Sequence, residues 1–198
     1  MYVTAREMIP APGEMQKTIA FGSEIVGVMN NRYGTAMAMS TEIGGVPNKV
    51  WLSGFWNSLD EYQSFLESYM SDQQMMAAIN MSTSFMVDIQ DQIGEILRPP
   101  GERKAFAQMH RGRLKSTGVA EGTELILELT NHVSELSGSE CGLIRPVTGD
   151  QYGVMFVAYA DSIQGLKDMT DSWVTDEKYQ EIFTKSPEYF ESEFDVTY

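Results

Sequence analysis

The chain is predicted to adopt an α+β fold made of two tandem copies of one β-α-β-β-α-β unit, and three observations carry that prediction. The segment "VWLSGFWNSLDEY" from Val50 aligns without a gap on "VMFVAYADSIQGL" from Val154. At the same offset Ser58, Ser68 and Asp72 meet Ser162, Ser172 and Asp176, and Tyr2–Glu7 falls on Phe106–Arg111. Each half then runs in the same order through segments of strand period and helix period, the signature of an internal duplication. Between them stands "RPPGE" at residues 98–102, whose prolines stop a strand and hold the chain extended. The expected division is residues 1–98, a linker at 99–103, and residues 104–198.

Taken in order, Tyr2–Ile9 and Lys104–Arg113 alternate as strands do. Gly13–Arg32 and Val119–Ser137 carry apolar residues at helical spacing, with Met15, Ile19, Val26 and Met29 on one face in the first half. Two strands follow in each half, Thr35–Ile43 with Asn48–Trp56 and Cys141–Val147 with Gln151–Ala160. Their separators, "GGVPN" and "TGD", supply the positive φ that hairpins need. Ser58 and Ser162 offer hydroxyl N-caps to the next helix, and Asp72 and Asp176 cap a second one after a break. The buried stripe reads Leu59, Tyr62, Phe65, Leu66 and Tyr69, answered by Ile163, Leu166, Met169 and Trp173. Last strands at Ile93–Arg98 and Phe190–Tyr198 close the halves.

Composition removes several function classes. A formal net charge of −14 opposes binding to a phosphate backbone or an anionic membrane, and the six basic residues from Arg98 to Lys115 read as solvated linker and strand-end charges. No nucleic-acid or membrane partner is expected. Cys141 is the single cysteine, so no intrachain disulfide forms, and no Cys/His cluster has zinc spacing. The first residues, "MYVTAREMIPAPGEM", lack the apolar stretch of a signal peptide, which makes a cytoplasmic location the expectation. Walker A, GxGxxG, GxSxG and HExxH sequences are missing, which demotes nucleotide-dependent and common hydrolase chemistry. No cofactor is named by any pattern.

The element order is that of the split βαβ, or ferredoxin-like, unit. Its sheet has helices on one face only, so the other face must be covered. Two tandem copies packed sheet to sheet would cover each other as an intrachain dimeric α/β barrel. On this order, and on the cap-and-helix pattern after the third strand, the chain resembles the dimeric α/β-barrel superfamily, which includes antibiotic-biosynthesis-type monooxygenases, haem-degrading monooxygenases and NIPSNAP-like proteins. The resemblance implies a pocket between sheet and helices for a small apolar or aromatic molecule, and cofactor-independent oxygenation or haem handling as the activity. The rival reading is a non-catalytic module of the same fold that binds a ligand or self-associates, and edge strands or helix faces leave a homo-oligomer open.

Candidate residues follow from the repeat. Arg6 and His110 hold equivalent places on the two first strands, sharing a face with Tyr2 and Thr4 and with Phe106 and Gln108. His110 is the catalytic candidate, since imidazole titrates near neutrality. Arg6, Tyr2, Trp56 and Tyr159 are the ligand-binding candidates, and no metal ligand is assigned. Trp51 and Trp56 must point to opposite faces of their strand, so only one can line a given cavity. The competing reading of every one of these is packing or an ion pair. The haem-degrading members use an Asn, Trp and His arrangement that does not transfer, because His110 is on a first strand and His132 is in a helix. His132, one turn from Glu128 and Glu135, reads as a solvated helix residue. Met70, Met75, Met81 and their fellows in the first half read as core filling.

Overall fold

The computed structural model describes residues 1–45, 48–191 and 195–198. It divides into two units, Met1–Gly94 and Glu95–Tyr198. The boundary falls inside a strand, ahead of the prolines read as the linker.

In the first unit, β1 (Tyr2–Pro10), β2 (Ala38–Thr41), β3 (Val50–Trp56) and β4 (Met86–Arg98) lie in the order β2-β3-β1-β4. The helices are α1 (Met15–Tyr33), α2 (Leu59–Ser71) and α3 (Gln73–Ser82). β1 and β3 are antiparallel in a register that sets Arg6 opposite Leu52 and Tyr2 opposite Trp56. Directly opposed residues share a face, so this register decides what Arg6 meets. The Ser58 hydroxyl accepts from Glu61 N–H to start α2, and the Asp72 carboxylate accepts from Gln74 and Met75 N–H to start α3. Both are the capping roles read from the repeat. The core gathers Met8, Ile25, Met29, Leu52, Trp56, Phe65 and Tyr69. Met70 and Met81, read as core filling, are instead 59% and 64% exposed, because they fall on the outer faces of α2 and α3.

β4 starts at Met86, seven residues before its expected start at Ile93. Residues 87–92 are "VDIQDQ", mostly exposed and polar, so alternation gives no signal there. The strand exists because β1 offers its backbone as a neighbour, and Ala11 N–H donating to the Phe85 carbonyl sets its beginning.

The second unit repeats the order as β6-β7-β5-β8, from β5 (Phe106–Arg113), β6 (Gly142–Pro146), β7 (Gly153–Ala160) and β8 (Asp195–Thr197). Its helices are α4 (Val119–Ser137), α5 (Ile163–Val174), α6 (Glu177–Phe183) and the one-turn α7 (Ser186–Tyr189). Ser162 caps α5 and Asp176 caps α6 through their side-chain oxygens, as expected. Gly122 lets α4 approach closely: a Cβ there would stand 2.4 Å from Leu114 Cδ2 and 3.0 Å from Tyr189 Cβ. Of the expected strand Phe190–Tyr198, the described residues form β8 and an isolated bridge from Phe190 to Leu114, and residues 192–194 lie outside the described residues.

Candidate functional site

β5 and β7 pair so that His110 opposes Phe156 and Gln108 opposes Ala158, while β8 brings Val196 opposite His110 from the other side. These residues face the helices. α4 presents Ile126, Leu129 and Val133, spaced along one face, α5 presents Trp173, and α6 presents Tyr179 and Phe183. Together they enclose a cavity of about 220 Å³. An engineered apolar cavity of roughly 150 Å³ takes up benzene, so this one is large enough for an aromatic molecule.

The walls are aromatic and interlocked. The rings of His110 and Phe156 meet edge to face at 5.5 Å, and so do those of Phe156 and Trp173. Tyr179 and Phe183 stack in parallel at 5.6 Å. Two polar groups stand out. Trp173 is 3% exposed, and among the described residues its indole N–H has no hydrogen-bond partner. Leaving such a donor unpaired in a low-dielectric wall is costly.

The other polar group is His110. Burial pulls its pKa down to about 4, because the desolvated site disfavours the imidazolium. Its Nε2 lies 3.0 Å from the side-chain nitrogen of Gln108, which can only donate, so Nε2 accepts and the proton of the neutral ring sits on Nδ1. Gln108 is itself fully buried and is held by Thr170 of α5, which exchanges hydrogen bonds with it at 3.0 and 3.1 Å. Gln108 is therefore a positioning residue for the histidine.

This burial has a consequence for stability. As pH falls from about 6.5, the unfolded chain takes up a proton on His110 that the folded chain refuses until about 4. Stability supported by the neutral ring is complete above 6.5 and is lost through that window. Between pH 7 and pH 5 the group should remove about 2 kcal/mol. Urea unfolding at both values should show the wild type losing that much more than His110→Gln; equal losses would place the histidine in water.

The equivalent place in the first unit is filled. Arg6 lies on the face that α2 covers, a choice parity left open, and its guanidinium forms a two-pronged bridge to Asp91, with both contacts at 2.7 Å. That bridge, opposed by burial, holds the Arg6 pKa above its ordinary value. Trp56 is 4% exposed, donates to the Thr4 hydroxyl at 2.9 Å, and packs on Tyr62 and Phe65. Tyr2 is half-buried against the same cluster. The space beside Arg6 measures only about 40 Å³. Because Asp91 is half exposed, the bridge contributes little: Arg6→Met should change stability to urea by no more than about 1 kcal/mol. A loss of several kcal/mol would contradict this reading of the bridge as solvent-screened.

Two sequence readings need correction. Tyr159 opposes Ala107, on the strand face away from His110, and does not line the cavity. An odd step from Phe156 forces this. His132 is not solvated: its side chain is 13% exposed, and Nε2 lies 2.6 Å from the Asp176 carboxylate that caps α6. It thus ties α4 to the helix that carries Tyr179 and Phe183. The residues that sequence reasoning passed over are Trp173, read only as a helix stripe, and Phe156, Tyr179 and Phe183. Trp173 was within reach, since the repeat places it on Tyr69, which also lines its unit's pocket.

A split βαβ repeat with a cavity between sheet and helices defines the class: the chain has the fold of the dimeric α/β-barrel superfamily. No family model matches it, and no curated protein matches it in sequence. Solved structures do. A candidate monooxygenase from Lactobacillus acidophilus NCFM superposes with a TM-score of 0.72 at 6% identity, covering 99% of this chain and 91% of that one. A candidate monooxygenase from Fusobacterium nucleatum matches with a TM-score of 0.72 at 8% identity, over 99% and 89%. An anthrone oxidase-like protein matches at 0.67 and 11%, over 99% and 89%. At these identities the likeness is one of fold. Among the described residues no helix is long and apolar enough to cross a membrane.

The lining does not suit a haem, the group that part of the superfamily handles. No Arg or Lys is among the described lining residues to meet propionates.

Proposed function

We propose that the second unit binds a small aromatic molecule in the His110 cavity and oxygenates it with O₂ and no cofactor. The observation that carries this reading is the contrast between the two halves. The same position is an open aromatic cavity around a neutral imidazole in one and a plugged, ion-paired core in the other.

The substrate class that suits the wall is an aryl ketone with an acidic methylene, or its hydroxyaromatic tautomer. The ketone oxygen accepts from the Trp173 indole N–H, which also stabilises the charge that develops there as the methylene loses a proton. Neutral His110 takes that proton on Nε2 once Gln108 releases the hydrogen bond it donates there. The resulting enolate gives an electron to O₂, and recombination forms the carbon–oxygen bond of a peroxide, which the imidazolium protonates. Loss of water across the remaining C–H and the O–O bond leaves a new carbonyl. The balance is CH₂ + O₂ → C=O + H₂O, with the carbon giving up four electrons. That one fold neighbour is described as anthrone oxidase-like supports the class, since an anthrone is a ketone of this kind.

A second reading has its own observation. Burial that keeps His110 neutral also makes it a weak base, which favours binding without turnover. Oxygen uptake separates the two. With anthrone, 2-tetralone and 1-naphthol as probes, uptake above the rate of His110→Gln supports the enzyme. Saturable binding with no uptake for all three supports the binding module.

A further inference from the structure

A smaller cavity of about 20 Å³ adjoins the His110 cavity, between α4, α6 and α7. Ile126, Leu129 and Phe183 line both, so the two are separated by nothing thicker than those side chains. Beyond them it is bounded by Leu125, Ile182, Phe190 and the nearly buried Ser186. Among the described residues no charged side chain lines it, so an apolar group is the occupant its chemistry accepts. Resting on the reading that the larger cavity holds the substrate ring, we propose that the smaller one is a subsite for a short alkyl substituent on that ring, with Phe183 as the partition.

Geometry supports the assignment in two ways. Phe183 is the last residue of α6, stacked on Tyr179 and 41% exposed, and it lines both cavities. The volume admits little more than one water-sized body, which sets the scale at a methyl group while the partition stays in place. The substrate is therefore an alkylated aromatic of limited chain length, and Leu125, half-buried and lining the smaller cavity but not the larger, sets the limit.

Binding of 4-alkylphenols from phenol to 4-hexylphenol, measured calorimetrically on the full chain, tests this. In the wild type each methylene should tighten binding by about fourfold until the subsite is full, and then the gain should stop. Leu125 touches only the smaller cavity, so Leu125→Phe should bind phenol as the wild type does and stop gaining at a shorter chain. Leu125→Ala should stop gaining at a longer one. If phenol binds but both variants follow the wild-type profile, the subsite is refuted while the ring site stands. If no phenol binds the wild type, the ring site and the subsite fall together.

Discussion

His110→Gln is expected to reduce oxygen uptake by about 10²–10⁴-fold, the range a positioned acid-base group supplies, while leaving substrate affinity nearly unchanged. Affinity rests on the aromatic wall and on the Trp173 N–H, neither of which the substitution removes. The effect should appear in kcat and not in KM. The fold should survive at pH 7, because glutamine can still accept from Gln108 in place of imidazole Nε2. A companion variant separates chemistry from packing. Gln108→Leu removes the donor that fixes the ring without touching substrate, so it should lower kcat and displace the acid limb of the pH–rate profile. A Gln108→Leu enzyme with the wild-type pH profile would mean that Gln108 only fills space.

Trp56→Ala is expected to be the costliest change in the first unit, at about 3–5 kcal/mol, and to spare binding in the second. The indole is buried against Tyr62 and Phe65, and removing it also strands the Thr4 hydroxyl in the core. Trp56→Phe should recover most of the packing but not the hydrogen bond. Urea unfolding reads the stability, and 1-naphthol titration of the folded variant reads the site. If Trp56→Ala left stability alone and abolished binding, the first unit's aromatic cluster would be a ligand site and not a plug.

The two predictions show how unevenly the sequence disclosed the molecule. Ser58, Ser162, Asp72 and Asp176 act as caps in the structure because their role depends only on the next three residues, which the chain itself supplies. That Arg6 and His110 hold matching places on their first strands was also legible, since strand parity is local, but parity did not say which face of the sheet the helices cover. Nor could parity decide the filling. Arg6 finds Asp91 on β4, a strand whose polar run "VDIQDQ" gives no alternation to read, so the plug in the first unit was hidden with it. Tyr159, a ligand-binding candidate by sequence, opposes Ala107 and so lies on the face away from His110, a register that only the paired strand reveals. His132 was misread for a similar reason: its partner Asp176 is far along the chain, while Glu128 and Glu135 are near.

The most direct test of the central claim, that an aromatic molecule enters the second unit's cavity and no other, is a titration followed by the indole N–H signals of the three tryptophans in a ¹H–¹⁵N correlation spectrum. With 1-naphthol as the probe, the Trp173 signal should move saturably downfield as its unpaired N–H gains an acceptor, while the Trp56 signal, already bonded to Thr4, stays in place. A static Trp173 signal at saturating probe, or movement of Trp56 in its stead, would contradict the account.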